Sequence, residues 1–246
     1  MTIRLRTAGF MFSEPHKPAN TMDPNTLKQR VGQAALDYIQ PDSILGVGTG
    51  STVNKLIEAL GQAAIPLRGA VSSSEATSAL LRKIGVAVLA AEEVDGLDVY
   101  IDGADEIDAS GCMIKGGGAA LTREKIVADL ARQFVCIADI SKQVEVLGSF
   151  PLPVEVIPMA AAQLARRFAA MGAQARLRRQ ADGQPLRTDN GQHILDVTGL
   201  HIDEPLRLEL EISAWPGVVT VGIFARNKAS VCLLGGPDGV ATLHFS

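Results

Sequence analysis

The chain has 246 residues, 47% of them hydrophobic, and a formal net charge of −4. That length suits one large domain or two smaller ones, and that apolar content is too high for a disordered chain. Interspersed charges with no basic stripe, a lone tryptophan (Trp215) and few other aromatic residues exclude a nucleic-acid surface built on phosphate neutralisation or base stacking.

No apolar run approaches the ~20 residues of a membrane-spanning helix, so no membrane partner is expected. Cys112, Cys136 and Cys232 are odd in number and widely spaced, and the last two sit in apolar, strand-like runs. This is the cysteine usage of a reduced, cytoplasmic protein. Residues 1–21 carry two early arginines and a short apolar patch but no long hydrophobic core of a secretory signal. They read as a loosely ordered extension or the product of an upstream start codon, with a weak targeting peptide as the other reading. The folded body is expected to begin near Met22.

Asp23-Pro24 opens a helix to about Ile39, with Asp at the N-cap and Pro in the first turn. Val31, Ala34, Ala35 and Tyr38 form its apolar face. A buried-type strand at 43–47 leads through Gly48–Thr52 into a helix ending near Leu60. Strands at 67–71 and 86–89 flank a helix at 75–84. A strand around Val99, a helix at 120–131 and a strand at 134–138 continue the alternation. Strand and helix alternating at this spacing predict a doubly wound, mostly parallel α/β sheet.

The pattern changes at Pro151-Leu-Pro153. Strand 154–157, helix 159–171, strands 175–179 and 193–197, helix 204–214 and strand 218–224 give a β-α-β-β-α-β order, the ferredoxin-like α+β pattern. The tail, 229–234 and 240–245, is expected to return to the first unit. The predicted division is therefore 22–150 plus 226–246 as an α/β catalytic domain and 151–225 as a smaller ferredoxin-like domain.

The stretch 98–130 organises the rest. A short apolar strand ends in Asp102, Asp105, Glu106 and Asp108; Lys115 and Gly116–Gly118 follow, and then a helix with Glu124 near its start. Ligands of open α/β sheets bind beyond the carboxyl ends of the strands, which is where these groups fall. The carboxylates suit a solvated turn, a divalent cation or hydrogen bonds to sugar hydroxyls, although their spacing misses the EF-hand pattern. Three successive glycines carry a large entropic cost, tolerated where backbone bends sharply or approaches a ligand. A lysine beside them can neutralise an oxyanion; the competing reading is a flexible surface loop.

Glu124 has apolar neighbours three and four residues away, which would desolvate it and raise its pKa toward that of a general base; the competing reading is a surface glutamate near a helix N-terminus. Arg123 has equally apolar neighbours, so periodicity alone does not choose between them. Gly48-Thr-Gly-Ser-Thr52 joins a strand to a helix and makes a phosphate cradle, or an ordinary tight turn. It is neither a dinucleotide fingerprint nor a Walker loop, since Ser51 stands where the third glycine would be and no lysine follows. The four histidines show no metal-ligand spacing.

Taken together, these motifs resemble the type A ribose-5-phosphate isomerase family. The matching stretches are GVGTGSTV (46–53), SSSEATSALL (72–81), DVYIDGADEID (98–108), KGGGAALTREK (115–125), IADISKQVEVLG (137–148), PLPVEVIPMA (151–160), TDNGQHILDV (188–197) and PGVVTVGIFA (216–225). They run in order through the chain from Met22. The resemblance implies interconversion of D-ribose 5-phosphate and D-ribulose 5-phosphate, in the pentose phosphate pathway, through an enediol(ate). It makes Glu124 the base and Thr49, Gly50, Ser51 and Thr52 the substrate-binding loop, with Ser51 and Thr52 toward the phosphate. Asp102 and Asp105, with Gly103 and Ala104 between them, would hold sugar hydroxyls and assist ring opening. Lys115 would stand beside the reacting oxygens, with Gly116, Gly117 and Gly118 lining the substrate. Lys142 and, with a weaker match, Lys28 complete the implied set. The family implies no metal and no cofactor, and a homodimer or tetramer. The alternatives are a non-catalytic sugar-phosphate sensor of the same fold and an isomerase of another phosphosugar.

Overall fold

The structure, a computed structural model, describes residues 23–246; the expectation for residues 1–21 lies outside them. In chain order the elements are α1 (Pro24–Ala34), β1 (Ile44–Val47), α2 (Ser51–Ala63), β2 (Gly69–Ser72), α3 (Glu75–Lys83), β3 (Leu97–Asp102), β4 (Glu106–Ile107), β5 (Met113–Ile114), α4 (Leu121–Leu130) and β6 (Ala131–Asp139). There follow β7 (Leu152–Val156), α5 (Ala161–Ala170), β8 (Gln174–Leu177), β9 (His193–Thr198), α6 (Pro205–Ser213), β10 (Val218–Val221), β11 (Ile223–Phe224), β12 (Val231–Gly236) and β13 (Gly239–His244).

Six strands form the first sheet in the order β13-β12-β6-β3-β1-β2. All its neighbouring pairs are parallel except the β12–β13 hairpin at the edge. Alternate residues supply the two faces. Leu45, Val47, Val99, Ile101, Val135 and Ile137 pack with α1 and α2 on one side. Tyr100, Phe134, Cys136 and Cys232 pack with Val127 and Ala128 of α4 on the other. Strands covered on both faces must be apolar at successive positions, which is why they read as continuous runs. The expected α/β fold is therefore present, with the C-terminal tail returning to the sheet as β12 and β13.

α1 begins at Pro24 as expected, but Asp23 makes no side-chain cap; its backbone carbonyl accepts from the amides of Thr26 and Leu27 instead. The helix crosses α2 closely at Gly32, where a Cβ would lie 2.8 Å from the Leu56 backbone nitrogen.

The second sheet is antiparallel in the order β10-β7-β9-β8, the ferredoxin-like 4-1-3-2 arrangement in the unit's own count. α5 and α6 cover it around Leu164, Phe168, Ile212 and Trp215.

Three local expectations change. The strand predicted at 86–89 reduces to an isolated bridge between Val88 and Ala70, because the chain turns into a 3-10 helix at Ala91–Glu93. The single strand predicted at 218–224 divides at Gly222: β10 stays in the second sheet while β11 pairs with β5. Gly222 is required there, since a Cβ would fall 2.4 Å from the Lys115 carbonyl oxygen. The third change is the small β11-β5-β4 sheet itself, which emerges from the carboxylate-rich segment. Its β4–β5 turn is held by Asp108, whose carboxylate accepts from the amides of Ser110 and Cys112. Asp108 thus follows the turn reading of the acid cluster.

Candidate active site

β3 ends at Asp102, whose carboxylate is fully buried and fully engaged. One oxygen accepts from the amides of Thr49, at 3.0 Å, and Gly103, at 2.7 Å. The other accepts from Lys115 Nζ at 2.6 Å and from the Tyr100 hydroxyl. The closeness demands Gly48, where a Cβ would sit 1.9 Å from the Asp102 carboxyl carbon. Asp102 therefore ties the end of β3 to the Gly48–Thr52 loop and to the lysine following β5.

Lys115 is buried, and its Nζ also donates to the Gly103 carbonyl at 2.6 Å. The Phe224 ring centroid lies 5.4 Å away, close enough for a cation–π contact. Burial opposes its charge, but Asp102 and Glu124 outweigh that and hold the ammonium above the ordinary lysine range.

Glu124, in the opening turns of α4, is 3% exposed, and its Oε2 lies 3.3 Å from Lys115 Nζ. That contact is not aligned as a hydrogen bond, and Oε2 has no hydrogen-bond partner among the described residues. Burial is the main force on its pKa; Lys115 pulls it down, Asp102 pushes it up, and the result is about 8. Arg123 turns the other way, to Glu75, Asn190 and the Asp189 carbonyl. The ambiguity left by periodicity is settled by this rotation.

The carboxylates of the acid cluster thus divide. Asp105 accepts from the Gly117 amide at 2.7 Å at the pocket wall, whereas Glu106 accepts from the backbone of Gly148 and Phe150 beneath it. The loop Gly48–Thr52 is fastened by Thr77 Oγ1 donating to the Gly48 carbonyl and by Ser74 Oγ donating to Thr49 Oγ1. Gly50, with φ of +108°, then presents the N-terminus of α2. There Lys28 Nζ donates to Ser51 Oγ at 2.9 Å.

A single pocket, with about 570 Å³ of free space, collects nearly the whole predicted set. Lys28 and Thr49–Thr52 line one end, where bare backbone, hydroxyls, a helix N-terminus and a lysine suit a phosphate. Gly103–Asp105, Lys115–Gly118, Glu124 and Lys142 line the rest. Asp102 is the exception, standing behind Lys115 rather than on the surface. No group of three or more histidine, cysteine, aspartate or glutamate side chains able to hold a metal occurs among the described residues.

Several supporting residues escaped the sequence reading. Tyr100 lies two residues before Asp102 on the same strand face, a signal the alternation contained. Glu155, buried on β7, accepts from the hydroxyls of Thr122 and Thr188 and so ties α4 to the second sheet. Arg178 reaches the carbonyls of Gly116 and Gly117, for which no local pattern gives notice.

A buried carboxylate with a pKa near neutrality, an adjacent ammonium and a polar pocket at the strand ends define an α/β enzyme of the acid–base class. The sequence profile described as ribose 5-phosphate isomerase A (phosphoriboisomerase A) matches residues 69–239. The ribose-5-phosphate isomerase A of Polaromonas sp. strain JS666 is 64% identical over 236 residues, which cover 95% of this chain and 98% of that relative. The chain belongs to the ribose 5-phosphate isomerase A family. The crystal structure of ribose 5-phosphate isomerase A from Neisseria gonorrhoeae is 44% identical, with a TM-score of 0.87 over 91% of this chain and 98% of that one. A D-ribose-5-phosphate isomerase in complex with phospho-erythronic acid is 36% identical, with a TM-score of 0.87 over 91% of this chain and 100% of that one.

Proposed function

We propose that this protein interconverts D-ribose 5-phosphate and D-ribulose 5-phosphate by proton transfer through an enediol(ate). The observation that carries this reading is Glu124 Oε2, buried at the pocket, without a hydrogen-bond partner among the described residues and 3.3 Å from the Lys115 ammonium. The ionised Glu124 takes the proton from C2 of the open-chain aldose. The C–H electron pair forms the C1=C2 double bond as the carbonyl electrons move onto O1. Lys115 offsets the charge developing on O1. A proton passes from O2 to O1, and protonated Glu124 delivers its proton to C1, leaving a ketone at C2.

The phosphate rests on Ser51, Thr52 and the N-terminus of α2, with Lys28 alongside, and Lys142 also lines the pocket. Binding energy at that remote group helps position the reacting carbons. Asp105 and the segment Gly103–Ala104 receive sugar hydroxyls and assist ring opening, and Asp102 acts through Lys115 and Thr49. Glu124 accounts for the proton moved between the carbons, and no step of this sequence calls for a cofactor. Residues 22–150 plus 226–246 carry this chemistry, and 151–225 form the smaller domain. Exposed Ile126, Leu210 and Val219 border one groove and support a homodimer or tetramer. The three buried free cysteines support a cytoplasmic setting.

The test is isomerisation of ribose 5-phosphate by the purified protein with EDTA present, beside Glu124→Gln. EDTA-resistant turnover is expected, with kcat falling roughly 10²–10⁴-fold in the variant. Equal turnover in both proteins would remove Glu124 as the base. Absence of turnover, with ribose 5-phosphate still raising the melting temperature, would point to a sensor.

A further inference from the structure

The Gly116–Gly118 loop is held from outside by a charged pair that belongs to the second sheet. Asp196 lies on β9, and Arg178 follows the end of β8, two residues beyond Arg176, the residue that pairs with Asp196 in register. The Arg178 guanidinium binds both Asp196 carboxylate oxygens, at 2.9 and 2.5 Å. Its remaining nitrogen, Nη1, donates to the carbonyls of Gly116, at 3.0 Å, and Gly117, at 2.9 Å. The pair is mostly buried, with side-chain exposures of 15% and 27%.

No described peptide bond is cis, so the carbonyl of one residue and the amide of the next point in opposite directions. With the Gly116 carbonyl turned to Arg178, the Gly117 N–H faces away from it, and it meets Asp105. With the Gly117 carbonyl turned to Arg178, the Gly118 N–H must also face away, and it has no acceptor among the described residues. Gly118 lines the pocket. The Gly116 carbonyl also accepts from the Ala119 amide at 2.9 Å, whereas the Gly117 carbonyl has Arg178 alone among the described residues, and glycine restricts its own backbone least.

We infer that Arg178, fixed by Asp196, is a positioning residue that orients the Gly116–Gly118 peptides so that their amides face Asp105 and the substrate. This rests on the isomerase reading for its effect on rate, though not for its effect on the loop. Lysine cannot replace it, since a single ammonium lacks the fork that spans a carboxylate and two carbonyls.

The test compares Arg178→Met, Arg178→Lys and the near-isosteric Asp196→Asn, with the exposed Arg179→Met as control. Hydrogen exchange of the Gly117–Ala119 amides and steady-state kinetics are measured on each. Arg178→Met and Arg178→Lys are expected to speed exchange in that loop and lower kcat about 10–100-fold while KM changes less, because a small misplacement of reacting groups costs about that much. Asp196→Asn should do the same to a lesser degree and serves if the arginine variants do not fold; Arg179→Met should do neither. Unchanged exchange in folded variants would overturn the clamp. Faster exchange with wild-type kcat would overturn its role in positioning. An inactive wild-type protein would sink the isomerase reading, while the exchange data would still decide whether the clamp exists.

Discussion

Replacing Glu124 by glutamine should change how stability depends on pH, and the structure sets the sign and size. The folded-state pKa of about 8 lies above the ordinary 4.5, chiefly because the carboxylate is buried. Between those values the folded protein binds more protons than the unfolded chain, so raising the pH destabilises it. Below about 4.5 the group contributes no difference between the states; above about 8 its full ionisation cost is felt. At about 1.36 kcal/mol per pH unit, the full span is on the order of 5 kcal/mol. Glutamine keeps the shape and never ionises. Urea unfolding of both proteins between pH 5.5 and 7.5 should therefore show the variant gaining on the wild type by about 3 kcal/mol across that range. A difference that stays constant with pH would refute the burial argument. That constant difference is what a Lys115-dominated carboxylate would give, because a group held at or below its ordinary value is ionised in both states across that range.

The same ionisation should appear in catalysis: kcat/KM rises with pH until about 8 and then levels, measured by a coupled isomerase assay, and a flat profile from pH 6 to 9 would exclude a base with so raised a pKa. Because Lys115 lowers the Glu124 pKa, Lys115→Met should move that midpoint upward in whatever activity remains. Gly48→Ala should cost about 3 kcal/mol by forcing a Cβ into Asp102, read as a melting temperature lower by roughly 6–12 °C. Lys28→Ala should raise KM about tenfold and lower kcat by less, the loss of part of the remote binding that helps position the reacting carbons.

The parallel sheet and its helices were legible because buried strands and amphipathic helices carry their period in the sequence. The loops at the strand ends were legible as pocket candidates, but glycines and polar residues there also fit tight turns or surface loops, and only the resemblance to the family chose among those readings. The chain could not disclose what depends on tertiary rotation and on strands two residues long. Arg123 and Glu124 have similar neighbours in sequence, and only the packing of α4 turns one outward and the other in. Gly222 looks like the interior of a strand until the Lys115 carbonyl is set against it. Arg178, just past the end of β8, and Asp196, on β9, meet at a loop that precedes Arg178 by some sixty residues, a relation with no periodic trace.

The return of the chain's end to the first sheet has a consequence for biosynthesis. β12 pairs with β6 along Val135–Asp139, so β6 stays an open apolar edge until the final segment has been made. An unpaired edge of that kind readily joins strands of other chains. The sheet beneath the pocket therefore completes only after translation has passed residue 244, whereas the strands of the second sheet are all made by residue 221. Folding begun on the ribosome leaves the first sheet waiting for β12, and chains stalled before it keep β6 unpaired.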